Sequence, residues 1–247
     1  KERVVWRKMP PWPADRSAGE FTNNPSLTER EIATIVEWAD TGASQGDPAH
    51  MPAVPQFTDG WQLGEPDLIV ELPEIAVPAT GGDLFPLPNV AVNMAEDRWV
   101  RAVEIRPSNR QVAHHAVLFA GGNGLLQNAN PANVLAVWAV GTPPTIYPEG
   151  TGRWLRKNQI IATNLHYHPN GTATTDRMKV GFYFGKGELK KELATAVAGN
   201  VTFEIPPHAT NYEMRGVYVA DQDISVVSFF PHMHLRGKAF RYEAKYP

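Results

Sequence analysis

The sequence predicts a mainly β protein, with tandem antiparallel β-sandwich domains of jelly-roll type preceded by a small α-helical segment. From residue 61 onward, short runs rich in β-branched and aromatic residues alternate with Pro, Gly, Asn and Asp, the pattern of strands separated by turns. The 22 prolines and 20 glycines are scattered through the 247 residues, as expected of a turn-rich β protein.

The helical segment lies within residues 1–50. Thr28 and Glu31 have the spacing of a capping box, in which each side chain bonds to the backbone of the other residue at the start of a helix. Gly42 is placed to end the helix. Between these signals the apolar residues follow helical spacing, at Ile32, Ile35, Val36 and Ala39. We therefore expect one short amphipathic helix here.

Eight strands are expected after this segment, because eight runs are short, apolar and bounded by turn residues. They span residues 67–72, 99–105, 112–119, 159–167, 178–184, 201–205, 213–219 and 224–230. Residues 51–60 are interpreted as a linker, and a polar join near residues 186–200 divides the remainder. The predicted domains are 1–50, a first sandwich at 61–195, and the start of a second at 196–247. The sequence stops at residues 240–247 in what resembles the middle of a strand, so we expect the second sandwich to be incomplete.

Composition excludes several classes of function. The formal net charge is −3 without a basic run, which argues against nucleic acid as a partner. No apolar stretch approaches the roughly 20 residues that a transmembrane helix needs. There is no cysteine, which excludes disulfides and thiolate metal sites within this sequence.

Six of the eight histidines fall in three tight clusters. Each cluster lies in or beside a predicted strand, and imidazole is the commonest metal ligand in proteins. Residues at i and i+2 of a strand point to the same face, so two of the clusters could each direct both rings to one point. The clusters are His114 with His115, His166 with His168, and His232 with His234.

The adjacent pair needs an irregular strand. Neighbouring strand residues point to opposite faces, so His114 and His115 can share an ion only through a β-bulge or through the ring nitrogen nearer the backbone. With His166 from a facing strand they would form a three-histidine site. His232 and His234 offer two nitrogens and lack a third ligand. Met233, between them, is interpreted as a core residue.

The donor set favours copper over zinc. Histidine sites accept both metals, but two separate histidine-rich sites suit one-electron chemistry. The nearest carboxylate, Asp176, lies in a Gly- and Thr-rich stretch and is interpreted as a turn residue. Outside the clusters, His50 is expected to be an exposed linker residue and His208 a structural turn residue.

At these residues the chain resembles the copper type II, ascorbate-dependent monooxygenases, which include the peptidylglycine and dopamine monooxygenases and bacterial relatives. The matching segments carry the His-His, His-Tyr-His and His-Met-His motifs in that order, and the resemblance covers about residues 61–247. They are residues 112–119, 165–170 and 231–238, supported by residues 97–101 and 148–150.

The resemblance implies two facing β-sandwich domains with one copper each, and hydroxylation of a substrate C–H bond with O2. His114, His115 and His166 would bind the electron-transfer copper. His232 and His234 would bind the oxygen-activating copper, completed by a methionine expected beyond residue 247, and His168 would be a neighbour without being a ligand.

Two departures bear on the substrate. Phe230 stands where the peptide-amidating enzyme has a basic residue that clamps the substrate carboxylate, so peptidylglycine amidation is not expected. Asn164 replaces a Gln of that enzyme. A small molecule of unspecified, less polar character is the expected substrate.

Residues 1–50 resemble the C-terminal part of a bacterial c-type cytochrome domain. In that family a methionine before proline is the distal haem ligand, and Met9 precedes Pro10 here. The haem-attaching motif would lie before residue 1. The resemblance implies that haem c, or an external reductant such as ascorbate, supplies electrons, and that the protein is periplasmic or extracellular. A buried Met9 in a small helical cap is the alternative.

Two other functions remain open at this stage. One is a non-catalytic copper-binding or electron-transfer protein in the periplasm, in which the second site is incomplete. The other is a zinc-dependent hydrolase on a β-sandwich, which requires a Glu or Asp beside the metal.

Overall fold

The computed structural model describes residues 1–11, 14–22, 24–54, 60–121, 133–200, 202–233 and 237–246. The chain forms two compact units, Lys1–Phe57 and Thr58–Pro247. Strands make up 27% of the residues and helices 10%, so the mainly β class is confirmed. In the described residues, no helix has the length and apolar character needed to cross a membrane. The boundary between residues 195 and 196 stays a prediction.

The first unit is built around one regular helix. Helix α1 spans Glu2–Val5 and helix α2 spans Glu29–Asp40, with single 3-10 turns at Arg16–Ala18 and Pro48–His50. The capping box is confirmed, since Thr28 N donates to Glu31 Oε2 at 2.7 Å and Glu31 N donates to Thr28 Oγ1 at 3.3 Å. These bonds satisfy backbone donors that the first helical turn leaves without partners.

One face of α2 is half-buried, and it carries the residues that the helical spacing indicated: Ile32, Ile35, Val36 and Ala39. The rest of the helix is exposed. Two ion pairs, Lys1 with Asp40 and Arg7 with Glu29, tie the first residues of the chain to the two ends of α2. Both pairs are exposed, so each stabilises the unit by no more than about 1 kcal/mol.

The second unit contains twelve strands among its described residues. Their bounds are β1 Leu68–Glu71, β2 Ile75–Val77, β3 Asn89–Ala91, β4 Arg98–Arg106, β5 Ala113–Ala120, β6 Val134–Ala139, β7 Thr145–Ile146, β8 Thr151–Leu155, β9 Ile160–Tyr167, β10 Thr174–Asp176, β11 Lys179–Phe184 and β12 Lys191–Glu192.

These strands form two larger sheets and one two-stranded ribbon. The first sheet has the order β1-β11-β4-β8-β12, with β7 also paired to β4, and the second has the order β3-β9-β5-β6. All pairs are antiparallel except β12 with β8. One buried apolar cluster takes residues from both sheets, among them Val103 and Phe182 from the first and Leu118 and Leu165 from the second. The two sheets therefore share one core.

The first five predicted strands are confirmed as β1, β4, β5, β9 and β11, with ends that differ by no more than one residue. Strand β8 was not predicted, and its Gly152 has a packing reason. A Cβ at that position would lie 2.4 Å from the Val100 carbonyl oxygen and 2.7 Å from the Trp99 ring. The glycine that weakens the strand signal in the sequence is thus what lets β8 approach β4.

The three predicted strands after residue 200 are wrong for the described residues. Residues 202–233 and 237–246 contain no strand, and their apolar side chains are largely exposed, with Val217 at 75% and Val219 at 80%. A strand pattern stabilises a strand only when a neighbour takes its backbone hydrogen bonds and a core takes one face. Neither is present in the described part of this region.

The burial of Tyr147, which follows β7, can be tested through the pH dependence of stability. Its ring packs against the buried cluster and its hydroxyl donates to the Leu135 carbonyl oxygen. Burial raises the pKa of Tyr147 to about 12. A phenol whose pKa is raised on folding contributes stability that is complete below pH 10 and is lost as pH rises towards 12, because the unfolded chain gives up its proton first.

We expect the free energy of unfolding to fall between pH 10 and 12 by at most about 1.4 kcal/mol per pH unit for this group. Tyr147→Phe should make the fall shallower. Urea unfolding at several pH values measures the slope, and Tyr212→Phe, at an exposed tyrosine, is the control. Equal slopes in the Tyr147→Phe variant and the unaltered protein would contradict the assignment.

Candidate metal centre

The candidate centre lies on neighbouring strands β5 and β9, and its key feature is a β-bulge. Ala113 pairs with Tyr167, but the next cross-strand pair is His115 with His166, so His114 is the extra residue. The pattern of burial puts Ala116, Leu118 and Leu165 on the core side, so His115 and His166 share the opposite face. A bulge re-aims the extra side chain. The irregularity that the adjacent histidines required is therefore present.

The three rings converge on one point. The Nδ1 atoms of His114 and His115 are 3.3 Å apart, and those of His115 and His166 are also 3.3 Å apart. One ligand nitrogen from each of the three histidines lies within 4.8 Å of the others. The group therefore has the compactness that a single ion requires.

The spacing fits a small transition-metal ion. With metal–nitrogen bonds of about 2.0–2.1 Å, two nitrogens of a tetrahedral site lie about 3.3–3.4 Å apart. The two 3.3 Å separations around His115 Nδ1 match that edge. The ligand nitrogens of His114 and His166 also lie within 4.8 Å of each other.

The carboxylate of Asp83, which the sequence analysis did not single out, contacts two histidines of the His-Tyr-His motif. His166 Nε2 is 2.7 Å from Asp83 Oδ2, and His168 Nδ1 is 2.7 Å from Asp83 Oδ1. Asp83 reaches both rings because Leu84 forms an isolated β-bridge with Tyr167, with hydrogen bonds of 3.0 Å in both directions. Because of this bridge, Asp83, the residue before Leu84, lies beside the end of β9.

The same bridge brings Phe85 to the other side of His166. Their ring centroids are 4.5 Å apart at an interplanar angle of 19°, a stacked arrangement. Stacked aromatic rings contribute about 0.5–1.5 kcal/mol beyond the area they bury. Phe85 thus restricts rotation of the His166 ring about its side-chain torsions.

Electrostatics favours the metal-binding forms of these groups. Partial desolvation of the ring, followed by the neighbouring His166, lowers the pKa of His114, which favours the neutral imidazole. Hydrogen bonds from His168 and then from His166 lower the pKa of Asp83. A neutral imidazole is the form that binds a metal, and an ionised Asp83 is an acceptor for both rings.

Asp176 is not a turn residue, and that interpretation is wrong. It is the last residue of β10 and is buried. Its Oδ1 accepts hydrogen bonds from Ser108 Oγ at 2.9 Å and Asn109 N at 2.7 Å, and its Oδ2 accepts one from the Tyr167 hydroxyl at 2.8 Å. Tyr167 points to the core side of β9, so Asp176 supports the strand from beneath and is separated from the histidine cluster.

The second predicted centre falls largely outside the described residues. His234 is one of the residues that the structure does not describe, and His232 is exposed. Met233, expected in the core, is half-buried. The ligand roles of His232 and His234 stay predictions.

The remaining sequence candidates lie apart from the cluster. Met9 is 48% exposed, so the alternative of a buried Met9 is wrong, and its role as a haem ligand stays a prediction. His208 lies in a turn with φ of +64°, as expected. His50 is exposed and ends the 3-10 turn Pro48–His50.

Sequence reasoning missed Asp83 because nothing local marks it. It follows Gly81 and Gly82 and reads as part of a turn. Its partners lie more than eighty residues away, and only the pairing of Leu84 with Tyr167 brings them together.

Comparisons with known proteins give no identification. No protein-family model matches the chain, and no curated protein matches it. The fold and the cluster define a mainly β protein with a candidate three-histidine metal centre, and the resemblance to the copper monooxygenases stays a prediction.

Proposed function

We propose that this chain belongs to a copper-dependent monooxygenase that hydroxylates a substrate C–H bond with O2. The observation that carries the proposal is the convergence of His114, His115 and His166, with Nδ1 atoms 3.3 Å apart around His115. His114, His115 and His166 would hold the electron-transfer copper. Copper bound there would supply one-electron chemistry.

The donor set supports copper over a zinc hydrolase. A hydrolase of the kind considered needs a carboxylate beside the metal to act as a general base. Asp83 is a carboxylate in contact with this cluster, but it bonds Nε2 of His166. The converging nitrogens are Nδ1 atoms, so Asp83 lies behind the ring and its oxygens are already engaged by two imidazoles.

Exposure fits a centre that exchanges electrons with other groups. The His166 side chain is 12% exposed, which shields it from water, while His114 is exposed. An electron donor can therefore approach through His114 without entering the core. The catalytic step is assigned to His232 and His234, with a methionine as the third ligand.

The electron supply is part of the same proposal. Residues 1–50 would be the end of a c-type cytochrome domain, with the half-exposed thioether of Met9 as a ligand to haem c. Ascorbate or a similar external reductant is the other source. Attachment of haem c takes place outside the cytoplasm, so the proposed location is the periplasm or beyond.

A non-catalytic copper-binding or electron-transfer protein is the second candidate. It is favoured by one observation: in the described part of the chain, the three-histidine group is the one cluster of three or more His, Cys, Asp or Glu residues that could hold an ion. An electron-transfer protein needs no more than this centre.

Copper stoichiometry separates the two candidates. The protein is loaded with Cu(II), freed of excess metal, and measured by elemental analysis and electron paramagnetic resonance. The monooxygenase predicts two type II copper signals per chain, of which one remains when His232 and His234 are both changed to alanine. Changing His208, outside all three clusters, to alanine is the control.

The outcomes point in different directions. One copper per chain, unaffected by the double change, supports the electron-transfer protein. Binding of zinc alone contradicts both candidates. Ascorbate-dependent O2 consumption that persists at full rate in the double variant would contradict the catalytic assignment.

A further inference from the structure

The geometry points to Asp83 and His168 as positioning residues that fix which nitrogen of His166 faces the metal. Asp83 holds the proton of His166 on Nε2, so that Nδ1 is left with a free lone pair directed at His115. His168 holds the other oxygen of the same carboxylate. This inference rests on the proposed function, since it assigns roles around that same metal centre.

The assignment of the protons follows from the hydrogen bonds. Each carboxylate oxygen of Asp83 is 2.7 Å from an imidazole nitrogen, His166 Nε2 on one side and His168 Nδ1 on the other. An ionised carboxylate only accepts hydrogen bonds, so both nitrogens must donate. A neutral imidazole carries one proton, so a protonated Nε2 leaves Nδ1 of His166 as an acceptor or a metal ligand.

Backbone pairing holds the carboxylate in place. Leu84 and Tyr167 exchange two hydrogen bonds of 3.0 Å, and His168 N donates to the Val112 carbonyl oxygen at 2.9 Å. Asp83 is therefore held in place through its neighbour Leu84, and His168 through its own backbone N–H. Phe85 stacks on His166 from the other side and holds the plane of the ring, and a 180° flip within that plane would put a carbon in place of Nε2 and lose the bond to Asp83.

The two histidines of the His-Tyr-His motif thus have different tasks. The His166 side chain is 12% exposed and its Nδ1 faces the cluster, whereas the His168 side chain is 70% exposed and bonds Asp83. Spacing at i and i+2 puts both rings on one face. On that face the ring of His166 points to the candidate metal centre, and the ring of His168 bonds the Asp83 carboxylate.

The expected size of the effect is that of outer-shell partners in other metal sites. Carboxylates that bond a ligating histidine fix its tautomer and orientation, and their loss typically lowers metal affinity about 10–100-fold. We expect Asp83→Asn to lie in that range. The amide keeps the shape but has one acceptor oxygen and one donor group, so it cannot accept from both rings.

The test uses Asp83→Asn with Asp97→Asn as the matched control. Asp97 is another carboxylate that accepts two hydrogen bonds, from Arg156 at 3.0 Å and from the Lys157 backbone at 2.8 Å, and neither of these partners is a histidine. Cu(II) affinity is measured by competition with a chelator. In parallel, long-range 1H–15N spectra of the metal-free proteins report which nitrogen of His166 carries the proton.

We expect the unaltered protein and Asp97→Asn to show His166 protonated at Nε2 and to bind Cu(II) equally well. Asp83→Asn should show a mixture of tautomers and a 10–100-fold weaker affinity. His168→Ala should lower affinity less, because Asp83 remains bonded to His166.

The two failures can be told apart. If Asp83→Asn keeps the Nε2 proton and the affinity of the unaltered protein, this inference is overturned while copper binding stands. If the unaltered protein binds no copper, the proposed function fails, and the tautomer spectra of the metal-free proteins alone decide the role of Asp83.

Discussion

Replacing His166 by alanine should lower the affinity of the three-histidine centre for Cu(II) by more than about 100-fold, beyond the range typical of outer-shell changes. His166 is the one ligand that β9 contributes, and it faces the other two across the strand pair. Its loss leaves His114 and His115, which are adjacent on one strand and separated by 3.3 Å at Nδ1. Two nitrogens from one strand cannot close a three-coordinate site.

Competition titration with a chelator measures this loss, and electron paramagnetic resonance shows whether the signal of the first centre disappears. His50→Ala is the control, because His50 belongs to the first unit. An unchanged Cu(II) affinity in the His166→Ala variant would contradict the assignment of the three-histidine centre. A loss no larger than that of Asp83→Asn would show that His166 is not a direct ligand.

Leu165→Ala should destabilise the second unit by about 2–5 kcal/mol, because it removes a large side chain from a closed core. Leu165 is fully buried in the cluster that joins the two sheets, and it precedes His166 on β9. A cavity beneath that strand also removes support from the pairing of His115 with His166. We therefore expect the variant to lose both stability and copper affinity.

Urea unfolding of the unaltered and variant proteins gives the difference in free energy. Ile160→Ala is the matched control: Ile160 lies on the same strand but is exposed, so its truncation should cost no more than about 0.5 kcal/mol. Similar losses in the two variants would contradict the placement of Leu165 in the core.

Local features of the sequence were enough for several elements. Helix α2 could be predicted because its cap and its apolar face are both set by residues within one or two turns. Strands β5 and β9 could be predicted because their runs are rich in apolar and aromatic residues, contain no proline or glycine, and end at turn residues. The adjacency of His114 and His115 even required a bulge, since an unbroken strand would direct them to opposite faces.

Other elements depend on partners that the sequence does not show. The apolar runs between residues 202 and 230 have the composition of strands, yet their described residues have no strand partner. Asp176 had the sequence context of a turn residue, but folding buries it beneath Tyr167. In both cases the state of a residue is decided by segments far away along the chain.

The sequence by itself determined the mainly β class, the amphipathic helix and the three groups of histidines, because these follow from composition and from spacing within a few residues. Only the tertiary structure decided that His114, His115 and His166 share one point and that Asp83 stands behind them. The reason is physical: register between strands fixes which side chains meet across a sheet, and a pairing such as Leu84 with Tyr167 is set by the packing of the whole core.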